Sequence, residues 1–126
     1  MKKTLFAMCC SACLLAPAAF AGAGHDHGPK HGGIVREVGD VTYELVVRAE
    51  TLTLYLFERG KPLAAAGAKA ESTLYAGNEK TKAMLIPIGD NRLAAQGAFK
   101  TGVGVRAEIV VSLPNRPEAK INFRLK

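Results

Sequence analysis

Beyond residue 21, this sequence has few of the residues that usually carry enzyme chemistry. Its three cysteines all lie within the first 13 residues, and it has no tryptophan. No histidine follows His31, and Ser72 and Ser112 are the only serines after residue 32. A Ser-His-Asp or Cys-His arrangement would therefore need a base from outside the main domain. The composition predicts a protein that is not an enzyme, with no disulfide, thiolate metal site or organic cofactor.

The first 21 residues have the pattern of a cleavable signal peptide. Lys2 and Lys3 form a positive start, residues 5–15 carry no charge, and Ala19-Phe20-Ala21 fits an A-x-A cleavage pattern. The apolar stretch is shorter than the roughly 20 residues that a membrane-spanning helix needs. We predict cleavage after Ala21, export to the bacterial periplasm and no stable membrane span in the mature chain.

A lipoprotein is the alternative interpretation of the same segment. Cys10-Ser11-Ala12-Cys13 loosely resembles a lipobox that ends in an acylated cysteine. Cys10 stands where an aliphatic residue is usual, and cleavage before Cys13 would leave an apolar tract on the mature chain. In that case the protein would be anchored by lipid at Cys13.

Residues 22–126 are enough for one domain and too few for two. Without Lys2 and Lys3 the chain has 15 basic and 11 acidic residues, a net charge of +4. The basic residues are scattered and no aromatic-rich basic motif accompanies them, so we predict no nucleic-acid partner.

Residues 22–33, rich in glycine and histidine, are predicted to be a flexible tract. Removal of this tract up to His31 is predicted to leave the fold nearly intact. Residues 34–126 are predicted to form the folded domain.

The folded domain is predicted to be all-β. Apolar and polar residues alternate over 41–48, 52–56, 68–76, 84–88, 93–99, 103–113 and 119–125, and 34–38 is a short further candidate. No segment has a sustained helical period, so we predict an antiparallel immunoglobulin-like β-sandwich of about seven strands. A small closed barrel is the alternative.

The alternation also predicts which side chains form the core. Ile109, Ile121 and Phe123 are expected inside, together with Val103 and Met84. The acidic residues of the domain are expected on solvated strand faces and turns; they include Glu37, Asp40, Glu44, Glu58, Glu71, Asp90 and Glu108.

The three histidines all lie within seven consecutive residues. The segment reads His25-Asp26-His27-Gly28-Pro29-Lys30-His31. Residues two apart in an extended chain point the same way, so His25 and His27 can approach one ion together. A turn at Gly28-Pro29 would add His31, and Asp26 offers a carboxylate.

Imidazole ligands favour Cu(II), zinc, nickel and cobalt, whereas Cu(I) prefers the thiolates and thioethers that are scarce here. The sequence therefore predicts a divalent transition-metal site at His25, Asp26, His27 and His31. The other interpretation is a soluble tail whose histidines are incidental.

Several short motifs carry a resemblance to a known family. They are His31-Gly32-Gly33, Val38-Gly39-Asp40, Tyr43-Glu44-Leu45-Val46, residues 52–56, Gly60-Lys61-Pro62, Gly67-Ala68 and Gly89-Asp90-Asn91. Their pattern resembles a β-sandwich module found as small periplasmic proteins and as the N-terminal extension of heavy-metal efflux adaptor subunits of the resistance-nodulation-division type. The resemblance implies a periplasmic accessory of heavy-metal cation handling, with the histidine tract as the ion contact and an efflux component as a partner.

A second functional hypothesis does not require the metal. The chain lacks the helical hairpin and further domains of a full adaptor, so it cannot bridge a pump to an outer-membrane channel. It could instead be a non-catalytic interaction module that docks onto a periplasmic assembly by a sheet face or edge.

Overall fold

A computed structural model describes residues 28–125 of the chain. These residues form nine β-strands, and no helix occurs among them. The strands are β1 (Ile34–Val38), β2 (Val41–Val47), β3 (Thr51–Glu58), β4 (Lys61–Pro62), β5 (Lys69–Ala76), β6 (Glu79–Gly89), β7 (Arg92–Gln96), β8 (Arg106–Ser112) and β9 (Ala119–Arg124). Across this described part of the chain, no helix is long and apolar enough to cross a membrane.

The strands follow one antiparallel path that almost closes on itself. Their order is β1-β2-β3-β7-β6-β5-β8-β9, and β4 pairs with β3 beside this path. The first part of β6 pairs with β5 and its last part with β7, so this long strand joins the two halves. Arg36 on β1 donates from Nε to the carbonyl oxygen of Asn122 on β9 at 3.2 Å. The fold is therefore a nearly closed β-barrel.

The antiparallel all-β prediction is confirmed, but the strand number is nine rather than about seven. The short candidate at 34–38 is a strand, and Lys61–Pro62 pairs with Glu58 and Phe57 although it is too short to show alternation. The immunoglobulin-like sandwich is not confirmed, because the strands form one continuous path.

The barrel interior is filled from the alternating faces of the strands. Ile109, Ile121 and Phe123 are buried, as predicted. Val103 is not, because it lies in the turn before β8 and has 88% of its surface exposed. Alternation assigned it to the strand that follows, but the strand begins only at Arg106.

The predicted inward face of β6 is wrong by one residue. Leu85 is fully buried, whereas Met84, Ile86 and Ile88 are 47–57% exposed. Both of its faces carry apolar residues in this stretch, so alternation alone could not choose between them. Pro87, a residue that strands tolerate mainly at edges and ends, lies where β6 pairs with β7 but no longer with β5.

Ser72 is a polar side chain on the inward face of β5, and it is completely buried. Its Oγ is buried, and within residues 28–125 it has no hydrogen-bond partner. Its cross-strand neighbours are Ala83 and Ile109. An unsatisfied buried hydroxyl costs free energy that an apolar group of similar size does not.

We therefore expect Ser72→Ala to raise the free energy of unfolding by about 1 kcal/mol. Urea unfolding measures the change. Ser112→Ala is the matched control, because the Ser112 hydroxyl lies outside the core and donates to Glu118 at 3.3 Å. A lower stability for Ser72→Ala would show that its hydroxyl is satisfied by a group or water inside the barrel.

Candidate functional site

The candidate site is built around Glu44, at the middle of β2. Its neighbours Tyr43 and Leu45 point into the core, so the Glu44 side chain lies on the outer face of the sheet. The sequence predicted a solvated carboxylate there, and this is wrong: Glu44 is only 1% exposed. The segment that precedes β1 crosses the outside of the sheet at this point and covers it.

The Glu44 carboxylate accepts four hydrogen bonds from that segment. Backbone amides of Lys30, His31 and Gly33 donate to it at 3.0, 2.7 and 2.8 Å. His31 also contacts it with its ring, at 3.0 Å between Nδ1 and Oε1. A carboxylate satisfied by several amides can remain charged when it is buried. Glu44 therefore holds residues 30–33 on the barrel.

Glycine at positions 32 and 33 allows the chain to approach so closely. Gly32 has φ +77°, in the left-handed region that favours glycine. At Gly33, an added Cβ would overlap the carbonyl oxygen of Leu45 and lie 2.9 Å from Cγ2 of Val46. The Gly32-Gly33 pair is thus required by the turn and by the contact with β2.

His31 is fixed by its neighbours on β3 as well as by Glu44. Its ring stacks on Tyr55, with centroids 3.7 Å apart and planes inclined by 5°, and Phe57 lies 6.3 Å away. Nδ1 faces Glu44, and among residues 28–125 no hydrogen-bond partner contacts Nε2. With the His31 side chain 39% exposed, this second nitrogen is the ring atom left for a ligand.

The electrostatics of the site favour a charged Glu44. Burial raises the pKa of this carboxyl, but the hydrogen bonds from Gly33, His31 and Lys30 lower it further, so the pKa lies below its ordinary value. The negative charge beside Nδ1 favours the tautomer in which Nδ1 carries the proton. Nε2 then has its lone pair free.

The structure describes only one of the four predicted metal ligands. His25, Asp26 and His27 lie outside the described residues, so their placement stays a prediction. Within residues 28–125, no group of three or more histidine, cysteine, aspartate or glutamate side chains is arranged to hold a metal ion. Met84 does not approach His31, since it lies beside Glu71 on the β5–β6 side of the barrel.

The contacts of His31 also change the expectation for the N-terminal tract. Removal of residues 22–31 would take away three of the four donors to Glu44, namely both His31 groups and the Lys30 amide. We therefore expect that deletion to lower the stability of the fold.

Glu44 and Tyr55 were not predicted from the sequence as parts of the site. A signal was present, because Tyr55 and Phe57 occupy the outward positions of a strand whose inward positions are leucines. Two neighbouring aromatic residues on an outer sheet face indicate that another segment covers them. Which segment does so depends on the pairing of β2 with β3, where Glu44 lies opposite Tyr55.

Comparison with known proteins gives a likeness in fold. The chain is similar to a DUF4426 family protein from Pseudomonas aeruginosa PAO1, with 17% sequence identity and a TM-score of 0.50. The match covers 71% of this chain and 91% of that one. At this identity, the likeness concerns the fold alone. No family model and no curated protein matches the chain.

Proposed function

We propose that this protein binds a divalent transition-metal ion in the periplasm, as an accessory of heavy-metal cation handling. His31 would supply one ligand through Nε2, and His25, His27 and Asp26 would supply the others. The leader of residues 1–21 would direct export. Cu(II), nickel, zinc and cobalt are the ions that this donor set favours.

The observation that carries the proposal is the pairing of His31 with Glu44. Histidines that bind metals almost always donate their other ring N–H to a carboxylate or carbonyl, which fixes the ring and raises the basicity of the ligating nitrogen. The 3.0 Å contact between Nδ1 and the buried Glu44 supplies this arrangement. An incidental tail histidine needs neither the carboxylate nor the stacked Tyr55.

The remaining ligands are within reach of the fixed ring. His27 and His31 are four positions apart, and an extended chain of that length spans at most about 14 Å. Gly28 and Pro29 lie between them and favour a turn. Because His31 is already fixed on the barrel, fewer residues must become ordered when the ion binds.

Metal titration of residues 22–126 tests the proposal, with Cu(II), nickel and zinc added separately. We expect His25→Ala with His27→Ala to remove most of the binding, and His31→Phe to weaken it at least tenfold. Phenylalanine at position 31 keeps a ring on Tyr55 but has no ligating nitrogen. Glu44→Gln should weaken binding about 10- to 100-fold.

Metal binding should also fall from pH 7.5 to pH 5.5, because protons compete with the metal ion for the imidazole nitrogens.

Tyrosine fluorescence locates the ion independently of affinity. The sequence has no tryptophan and three tyrosines. Cu(II) bound to His31 should quench Tyr55, whose ring stacks on it at 3.7 Å. Tyr55→Phe keeps the stack and should remove most of the quenchable emission.

Exposed Glu71→Gln is the control for loss of a carboxylate and should leave metal affinity unchanged. The proposal fails if the variant that lacks all three histidines retains the same uptake.

A second candidate function rests on the outer face of β6. Met84, Ile86 and Ile88 are exposed there at alternate positions, and contiguous exposed apolar side chains mark interaction surfaces. This face would suit the non-catalytic module that docks onto an efflux assembly. Met84→Ser with Ile86→Ser should leave metal binding intact, so the two functions can be separated in one protein.

A further inference from the structure

Three cations and one tyrosine form a continuous row at one end of the barrel. In the strand register, Tyr75 lies opposite Lys80 on one side and Arg106 on the other, and Arg106 lies opposite Arg124. All four belong to the outer face, because Leu74, Ala107 and Phe123 point inward. This row of Lys80, Tyr75, Arg106 and Arg124, here called the basic row, contains no acidic residue.

Like charges directly opposite each other destabilise a sheet, so the basic row has a cost in folding. Arg106 is partly accommodated, with its guanidinium 4.3 Å from the Tyr75 ring centre and a 3.4 Å hydrogen bond to Asn122. Lys80 lies 5.7 Å from the same ring. Among residues 28–125, no carboxylate forms an ion pair with Lys80, Arg106 or Arg124. The row therefore presents to the outside three cations that have no ion-pair partner in this part of the chain, and Glu108, two positions beyond Arg106, is the acidic residue next to it on the same face.

An apolar side chain projects beside this row. Val103 is 88% exposed in a turn that is closed by a 3.3 Å hydrogen bond from the Val105 amide to the Gly102 carbonyl. Gly102 and Gly104 flank it with φ +116° and +95°, conformations that other residues adopt at a cost. The turn thus presents valine at its tip although the position contributes nothing to the core.

The turn and the basic row share one end of the barrel. Arg106 follows the turn directly, and the Leu125 amide donates to the Val105 carbonyl at 2.9 Å, just beyond Arg124. The base of the turn is joined to the start of β6 by an ion pair of 3.3 Å between Lys100 and Glu79. This pair also neutralises the acidic neighbour of Lys80.

We propose that this end of the barrel docks on the surface of an anionic phospholipid bilayer. Val103 would enter the boundary between headgroups and acyl chains, and the basic row would contact lipid phosphates. A tyrosine among these cations fits the same interface, since its ring is apolar and its hydroxyl polar. Charge complementarity with a flat anionic surface favours this occupant, because the cations form a row across a sheet face.

Vesicle co-sedimentation of residues 22–126 tests the proposal, since this chain contains every described strand and lacks the apolar leader. Vesicles of phosphatidylglycerol are compared with vesicles of phosphatidylcholine, in chelator so that no metal bridges protein and lipid. We expect binding to phosphatidylglycerol alone, weakened by salt. Arg106→Gln with Arg124→Gln should reduce the partition coefficient roughly 25-fold, at about fivefold per cation. Val103→Ser should reduce it roughly threefold to tenfold.

Two further double variants distinguish the effect of the basic row's charge from the effects of the protein's net charge and of its stability. Lys61→Gln with Lys69→Gln removes two exposed cations from the opposite end and should change binding little. Arg106→Lys with Arg124→Lys keeps the charge and should retain most of it. Equal binding to both vesicle types, or unchanged binding of either test variant with an unchanged melting temperature, overturns the proposal. Because metal is absent, such a failure would leave the histidine proposal unaffected.

Discussion

Phe123→Ala is expected to lower the free energy of unfolding by about 3 to 5 kcal/mol. Phe123 is fully buried on β9 and lies opposite Ala107, which is also fully buried. The small alanine leaves the space beside it to the ring. Truncation would open a cavity that neighbouring side chains cannot fill without moving the strands.

The measurement is chemical and thermal unfolding of residues 22–126. At about 4 to 8 °C per kcal/mol for a domain of this size, the melting temperature should fall by roughly 12 °C or more. Phe123→Leu keeps most of the volume and should cost less than half as much. Lys120→Ala, exposed on the same strand, should stay within about 0.5 kcal/mol of the parent. A Phe123→Ala protein with an unchanged melting temperature would show that the ring is not in the core.

The sequence was sufficient for the all-β class because most strands bury one face only. On β5, β8 and β9 the alternation agrees with the observed burial almost residue by residue. It failed on β6, where Met84 and Leu85 are both apolar and the choice of face depends on tertiary packing. Barrel and sandwich could not be separated either, because alternation describes single strands, whereas closure depends on how β6 joins the two halves.

The candidate site was predictable in part for a similar reason. The histidine cluster can be recognised from composition. The partner of His31 is Glu44, which lies 13 positions away on β2, beyond the whole of β1. A glutamate on an outward strand position is usually solvated. Only the return of residues 30–33 over the sheet buries Glu44, and that return depends on the close approach of Gly33 to Leu45.

Glu44→Gln is expected to lower the free energy of unfolding by about 2 kcal/mol at pH 7, and the loss should shrink in acid. Glutamine keeps the volume but gives up the charge that four donors share, and hydrogen bonds to charged groups contribute about 1.5 to 3 kcal/mol each when buried. The donor segment is itself partly exposed, so water replaces part of the loss. The expected loss in the free energy of unfolding is therefore close to the contribution of one such hydrogen bond rather than of four.

The pH dependence follows from the lowered pKa of Glu44. Because the native carboxyl holds its proton less tightly than the unfolded one, its contribution is fully present above the ordinary value of 4.5 and is lost as pH falls through the native pKa. Urea unfolding at pH 7, 5, 4 and 3 should therefore show the parent and Glu44→Gln converging below about pH 4.5. His31→Phe in both backgrounds removes the imidazole while three backbone donors remain, so convergence should persist there. Glu71→Gln, at an exposed position, should run parallel to the parent. A constant difference between parent and Glu44→Gln across this range would mean that Glu44 does not hold the N-terminal segment through its charge.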